Sequence, residues 1–193
     1  MHVDDAGAAE TLSASIRAGL EAQPGWEEVV LICIGTDRST GDALGPLVGS
    51  RLAAQRLPGV EVRGTLAEPV HAVNLGTVLA QLEARRAGNG RDGRPRALHI
   101  AVDACLGRAE SVGSVTVRTG PLRPGTGVYK ELPPVGDLHI VGVVNVGGFM
   151  EYLVLQNTRL WLVMRMADLI ADALGRALRA ATGAGSLAAV TRA

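Results

Sequence analysis

Five short segments rich in valine and isoleucine alternate along this chain with segments whose apolar residues recur at helical spacing. The strand candidates are Glu28–Gly35, Val60–Leu66, Arg96–Asp103, Ser114–Gly120 and Leu138–Val146. The first and last are almost continuously apolar, which is typical of strands that helices cover on both faces. This alternation predicts an α/β fold, a three-layer α/β/α sandwich with a mostly parallel sheet.

Four helices are predicted around these strands. Their ranges are Ala8–Ala22, a helix that begins near Leu44, Leu75–Leu82 and Asn157–Arg179. The connection Gly120–Gly136 is longer than most loops in compact domains, and such loops tend to be lids or binding loops. We expect a single domain over residues 1–193, with a core from about residue 26 to 180 and a frayed tail over 181–193.

Composition narrows the class of protein. Of the 193 residues 47% are hydrophobic, and 19 basic residues balance 19 acidic ones. A balanced charge gives no reason to expect nucleic acid or an anionic membrane as a partner. The acidic N-terminus does not resemble a signal peptide, and no stretch approaches the roughly 18 apolar residues of a membrane helix.

Two cysteines, Cys33 and Cys105, lie in apolar segments and indicate reduced, packed thiols. Together with the composition, they predict a cytoplasmic protein that binds neither nucleic acid nor membrane. The apolar face around Trp161 and Met164 leaves two interpretations open, a buried core helix or the interface of a homo-oligomer.

The stretch ICIGTDRSTGDALGPLVG, Ile32–Gly49, leads from a strand into a helix through a glycine-containing turn. A phosphate-binding loop of this kind reads GxxxxGK[ST], and its backbone amides and lysine neutralise the phosphate. Here five residues separate Gly35 from Gly41, and Asp42 stands in the place of the lysine. The turn therefore predicts a carboxylate presented to a crevice, with no bound nucleotide and no other cofactor.

Asp42 and Asp103 are the candidate catalytic pair. Asp42 begins a helix, whose macrodipole lowers the pKa of a carboxyl, whereas Asp103 ends an apolar strand, where a charge is costly. If the strand order is 2-1-3-4-5, both carboxyls face one crevice at the switch point of the sheet. Asp42 would then stay ionised and Asp103 would hold a proton more readily, a division that suits activation of water against an amide carbonyl. The alternatives are that Asp42 only stabilises its helix and that Asp103 caps the next turn.

Three motifs occur in an order and spacing that resemble the germination protease of bacterial spores. They are TGDALGP at Thr40–Pro46, IAVDA at Ile100–Ala104 and RPGTGVYKELP at Arg123–Pro133. With GVVNVGGFMEYLVLQNTRL at Gly142–Leu160, the chain also resembles the smaller YyaC-type sporulation proteins, and the likeness spans roughly residues 29 to 174.

The resemblance implies the phosphorylase/hydrolase-like fold of hydrogenase maturation proteases. It also implies that the essential aspartates of the germination protease correspond to Asp42 and Asp103. The germination protease starts the degradation of small acid-soluble spore proteins, so a protein or peptide substrate of this kind is the expected partner.

Two departures from these families bear on the chemistry. Gly41 stands where the germination protease has proline. Hydrogenase maturation proteases hold nickel with two acids and a histidine, but no histidine follows the fifth strand here, and Asn145 occupies the corresponding segment. We therefore predict no bound metal.

The remaining candidates are substrate-binding residues in the turn, the long loop and the fifth strand: Thr36, Asp37, Ser39, Gly41, Lys130 and Asn145. The leading hypothesis is an endopeptidase of the germination-protease type that acts on a sporulation protein in the cytoplasm or in the spore. One alternative is a non-catalytic sporulation factor that keeps the cleft and binds a protein partner. Another is a metal-dependent maturation protease, which would need a further ligand next to the aspartates.

Overall fold

A computed structural model of the chain describes residues 1–88, 96–125 and 132–190. In chain order the elements are α1 (Ala8–Glu21), β1 (Glu28–Cys33), α2 (Leu44–Gln55), β2 (Val60–Arg63), α3 (Leu75–Gly88), β3 (Ala97–Gly107), β4 (Val115–Thr119), β5 (Leu138–Val146), α4 (Glu151–Gln156) and α5 (Leu160–Val190). Short 3-10 turns also occur at Gly41–Ala43 and Ala109–Ser111. All five predicted strands and all four predicted helices are found, and α4 is an additional short helix.

The strands of the described ranges form a five-stranded sheet in the order β2-β1-β3-β5-β4, which is parallel except for β4 against β5. The mostly parallel α/β architecture is confirmed, but the predicted order 2-1-3-4-5 is wrong at its last two strands. Only the seven residues from 108 to 114 join β3 to β4, too few for the crossover of about a dozen residues that a parallel strand needs. The chain therefore turns back into an antiparallel edge strand, and β5 lies between β3 and β4.

Alternate side chains of the central strands point to two hydrophobic clusters, one on each face of the sheet. In β1, Val29 and Leu31 belong to the larger cluster, which they share with α1, α2 and α5. Val30 and Ile32 belong to the smaller cluster, which they share with α3. Helices thus cover both faces of the sheet, as the three-layer prediction requires.

The hydrophobic core begins earlier in the chain than the predicted limit near residue 26. Leu12 and Ile16 of α1 are fully buried, because α1 packs along α5. At the other end, α5 is helical to Val190. Residues 191–193 lie outside the described residues, and the frayed tail over 181–193 stays a prediction. The alanines of this segment favour helix, since alanine has the highest helix propensity.

The carboxyl ends of β1 and β3 lie next to each other at one edge of the sheet. Cys33 at the end of β1 pairs with Val102 of β3, so the turn after β1 lies beside Asp103. Since β3 continues to Gly107, Asp103 lies within the strand and not at its end. Among the helices of the described ranges, none combines the length and the apolar character that crossing a membrane requires.

Candidate active site

The turn after β1 folds back on itself and brings Asp42 to this edge of the sheet. The Thr36 N–H donates to the Asp42 carbonyl oxygen at 3.1 Å, and the Gly35 N–H donates to the Val70 carbonyl oxygen at 2.7 Å. Gly35 has a φ of +146°, and a Cβ at this position would lie 1.9 Å from the Asp42 carbonyl oxygen. The close approach of the two backbone segments therefore depends on glycine at this position.

Asp42 lies in the 3-10 turn that precedes α2, on the wall of a cleft. Burial raises the pKa of its carboxyl. The nearby Ser39 hydroxyl offsets part of this rise, although it makes no hydrogen bond of ordinary geometry with the described residues. The predicted lowering of this pKa by a helix start is therefore not observed: burial is the largest influence, and Asp42 lies in the 3-10 turn before α2 and not in the first turn of that helix.

Asp103 lies within β3, opposite Val141 of β5. Its Oδ1 accepts a hydrogen bond of 2.8 Å from the Ala104 N–H. Burial raises the pKa of the Asp103 carboxyl to about 8, and the negative charge of Asp42 adds to the rise. At neutral pH this carboxyl is therefore mostly protonated, which agrees with the expectation that Asp103 holds a proton more readily than Asp42.

Both aspartates line one cleft of about 600 Å³ at the carboxyl edge of the sheet. Its walls come from the turn after β1, the loop after β2, the end of β3, the loop after β4 and helix α4, and they include Thr36, His71, Cys105, Arg123, Tyr152 and Leu155. The negative charge of Asp42 contributes to the raised pKa of Asp103, which agrees with two carboxyls that line the same cleft. The fold thus brings the predicted pair together although β4 and β5 exchange places.

The two thiols near the site are not ionised at neutral pH. Burial and the charge of Asp103 raise the pKa of Cys105 to about 11, and burial raises the pKa of Cys33 to about 12. A nucleophilic cysteine acts as its thiolate. Neither cysteine is therefore available as a thiolate at neutral pH, and Cys105 is a packed thiol in the wall of the cleft.

The predicted substrate-binding residues do not all face the cleft. Thr36 lines it, and the Thr36 Oγ1 accepts a hydrogen bond of 3.3 Å from the Arg38 N–H. Asp37 is exposed in the same turn and lies outside the cleft wall. Lys130 falls outside the described residues, so its predicted position in the loop stays a prediction.

Ser39, Gly41 and Asn145 have protein neighbours in place of the cleft. Ser39 is only 4% exposed, and a Cβ at Gly41 would lie 2.8 Å from Leu155 Cδ2. The Asn145 Nδ2 donates to the Thr158 Oγ1 at 3.2 Å. None of the three lines the cleft. Gly41 and Asn145 lie against α4 and Thr158 behind the site, and the contact of all three residues with substrate stays a prediction.

Sequence reasoning missed three polar side chains of the cleft wall: His71, Arg123 and Tyr152. A signal for His71 is its place after β2, since the loops that follow neighbouring parallel strands meet at one edge of the sheet. Arg123 and Tyr152 lie inside the motifs that carry the resemblance, but only the observed position of β5 beside β3 places them near the aspartates.

Within the described ranges, no three His, Cys, Asp or Glu side chains lie close enough together to hold a metal ion. Asp42, Asp103 and His71 line the same cleft but do not converge in the manner of a three-ligand metal site.

Comparison with known proteins places the chain in a family. The family described as "Protein of unknown function (DUF1256)" matches residues 1–173. The chain belongs to this family. This DUF1256 chain is 51% identical over 170 residues to the uncharacterized protein YyaC of Bacillus subtilis (strain 168), across 88% of the chain and 78% of YyaC. The predicted likeness to YyaC-type proteins is therefore confirmed.

Among solved structures, the DUF1256 chain is similar to the [NiFe] hydrogenase maturation protease HycI from Thermococcus kodakarensis KOD1. The TM-score is 0.46 and the identity is 20%, with 80% of this chain and 97% of HycI covered. This likeness concerns the fold alone.

Proposed function

We propose that this DUF1256 protein is an endopeptidase that cleaves a protein of the sporulating cell, in the cytoplasm or in the spore. The observation that carries the proposal is the pair Asp42 and Asp103, two interacting carboxyls in one cleft, of which Asp103 is mostly protonated at neutral pH. The sporulation context rests on the resemblance of the motifs at Thr40–Pro46, Ile100–Ala104 and Arg123–Pro133 to those of the germination protease.

The pair supplies the two proton transfers that hydrolysis of a peptide bond needs. Ionised Asp42 accepts a proton from a water molecule while the water oxygen bonds to the carbonyl carbon. Protonated Asp103 gives its proton to the amide nitrogen as the C–N bond breaks, which releases a carboxylic acid and an amine. Transfer of a proton from Asp42 to Asp103 then restores the starting state.

A different observation favours a second function. Large apolar side chains next to the cleft are exposed, among them Phe149 at 80% and Tyr152 at 64%. Exposed apolar surface of this kind marks contacts between proteins. A non-catalytic sporulation factor that binds a protein partner is therefore the alternative function.

Cleavage of purified small acid-soluble spore proteins tests the proposal. The enzymes compared are wild type, Asp42→Asn, Asp103→Asn and the control Glu21→Gln, which removes an exposed carboxylate at the end of α1, outside the cleft. We expect wild type and control to cleave at similar rates. Asp42→Asn and Asp103→Asn should each lose about 100-fold or more, because general acid–base catalysis contributes about 10²–10⁴-fold.

Circular dichroism and thermal unfolding establish that all four proteins are folded. Absence of cleavage by folded wild type contradicts the endopeptidase proposal for these substrates and favours the binding function, which calorimetric titration with the same spore proteins then measures. Cleavage that survives in either cleft variant contradicts the paired roles of the aspartates.

A further inference from the structure

His71 is a polar side chain in the wall of the cleft. It takes part in neither of the two proton transfers proposed above. When water attacks a peptide carbonyl, the carbonyl oxygen becomes negatively charged. Hydrogen-bond donors already aimed at that oxygen are among the largest sources of rate enhancement in acyl transfer. The ionised Asp42 carboxylate only accepts hydrogen bonds, so it cannot supply this stabilisation.

The sheet order places His71 beside the Asp42 turn. Strand β2 is the neighbour of β1 on the side away from β3. Beyond the ends of both strands, Ile34 forms a parallel bridge with Val70, and the Gly35 N–H donates to the Val70 carbonyl oxygen at 2.7 Å. His71 is thus fixed to the turn, and the order across the edge of the sheet is His71, Asp42, Asp103.

Local hydrogen bonds hold the loop of His71 in one conformation. The His71 N–H donates to the Asn74 Oδ1 at 2.8 Å, and the Asn74 Nδ2 donates to the Pro69 carbonyl oxygen at 2.9 Å. The Val73 N–H donates to the ring Nδ1 of His71 at 3.3 Å. A neutral ring whose Nδ1 accepts a hydrogen bond carries its proton on Nε2, and no described protein group accepts a hydrogen bond from that N–H.

The other donors of the cleft wall are less well placed for this role. Tyr152 is 64% exposed, and its hydroxyl accepts a hydrogen bond of 2.9 Å from the Gln156 Nε2. Arg123 has no hydrogen bond or ion pair within the described residues to fix its long side chain. The Cys105 thiol is a weak donor. Thr36 also lines the cleft, but a hydroxyl hydrogen rotates to suit its acceptor. Among the described residues of the wall, His71 is therefore the donor whose N–H direction the backbone fixes.

We propose that the Nε2–H of His71 donates a hydrogen bond to the carbonyl oxygen of the bond being cleaved and stabilises the negative charge that develops there. His71 is then a third catalytic residue, and this assignment rests on the proposed endopeptidase function. It acts without a change in its own protonation, so the water and leaving-group protons remain with the aspartate pair.

Two amide substitutions separate this role from a structural one. The amide nitrogen of Gln reaches the position of the ring Nε2, whereas the shorter Asn side chain reaches only the position of Nδ1, where it can still accept from Val73. We expect His71→Asn to lose about 100-fold in kcat with little change in KM, as in the removal of one oxyanion donor. His71→Gln should stay within about tenfold of wild type, since it keeps the donor.

The assay is cleavage of small acid-soluble spore proteins, with His139→Gln as a control at the opposite, amino end of β5. The reverse order, with Asn active and Gln inactive, or equal activity of both variants, overturns the role of Nε2. If Asp42→Asn and Asp103→Asn are inactive while His71→Asn cleaves at the wild-type rate, only this inference fails. If folded wild type cleaves nothing, the proposed function fails and this inference falls with it.

Discussion

The two carboxyls of the cleft are held by different kinds of structure. Asp103 lies within a strand whose backbone pairs with β1 on one side and β5 on the other. Asp42 lies in a turn whose shape depends on the hydrogen bond between the Thr36 N–H and its own carbonyl oxygen and on the close approach at Gly35. The pKa of both carboxyls is raised by burial.

Because a strand holds Asp103 and a turn holds Asp42, two different parts of the structure meet the two requirements of a paired-carboxyl site. The sheet fixes the position of Asp103, and burial in the same place keeps it protonated at neutral pH. The turn brings a second carboxyl to the pair, and both aspartates are partly exposed in the wall of the cleft. The relative position of the two carboxyls is therefore most sensitive to changes in the turn.

Gly35→Ala is the most direct way to disturb the turn. The substitution combines backbone strain of about 1–2 kcal/mol with overpacking of about 1–3 kcal/mol, because the new Cβ would lie 1.9 Å from the Asp42 carbonyl oxygen. We expect the free energy of unfolding in urea to fall by about 3 kcal/mol. Cleavage should fall as well, since Asp42 must move.

Gly148→Ala is the matched control for this prediction. Gly148 has a φ of +123°, and a Cβ there would meet nothing within 4 Å. Its variant should therefore lose only the strain of about 1–2 kcal/mol. Equal losses in the two variants would show that the turn relaxes around an added methyl group, and the contrast between turn and strand would then be mistaken.

The strands and the aspartate pair could be predicted because their signals are local. Continuous apolar runs mark covered strands, and an acid such as Asp103 inside an apolar run is costly without a function. The position of Asp103 inside the strand, and not at its end, could not be read from the sequence in this way, because β3 continues through Ala104 and Cys105 to Gly107.

The strand order and the buried polar residues depend on contacts between distant parts of the chain. Strand β4 lies antiparallel at the edge of the sheet because its connection to β3 is short. The amino-acid composition does not reveal this constraint. Gly41 and Asn145 resemble substrate-binding residues until α4 and the residues after it pack against them, because Thr158 contacts both positions. Sequence patterns describe neither contact.

The comparison between the two carboxyls can be tested through the free energy of unfolding of Asp103→Asn as a function of pH. An unfolded Asp loses its proton near pH 3.9, but folded Asp103 keeps it to about pH 8. Between these values the folded state binds more protons, so the free energy of unfolding falls as pH rises. One proton corresponds to at most about 1.4 kcal/mol per pH unit, so wild type should lose up to about 2 kcal/mol more than Asp103→Asn between about pH 5.5 and 7.

Urea unfolding at the two pH values measures this difference. Asp42→Asn should reduce the pH dependence by a smaller amount, because it removes the charge that helps to raise the pKa of Asp103. Parallel pH profiles for wild type and Asp103→Asn would mean that Asp103 ionises normally in the folded chain. The assignment of Asp103 as the proton donor would then be wrong.

Asn145→Ala gives the smallest expected effect and tests whether the support of the turn is separate from substrate binding. The variant loses the hydrogen bonds of the Asn145 Nδ2 to the Thr158 Oγ1 at 3.2 Å and to the Val154 carbonyl oxygen at 3.3 Å. We expect the free energy of unfolding to fall by about 1 kcal/mol, while KM for cleavage stays unchanged.

Asn157→Ala is the control for this last change. The Asn157 Nδ2 likewise donates a hydrogen bond to a backbone carbonyl, that of Leu153 at 2.8 Å, but the residue is exposed. Its loss should stay within about 0.5 kcal/mol, as for most surface substitutions. A raised KM in Asn145→Ala without loss of stability would return Asn145 to the substrate-binding residues. An unchanged KM with lower stability would instead show that the contacts behind Gly41 support the turn. This turn holds Asp42, the carboxyl whose position the sheet does not fix.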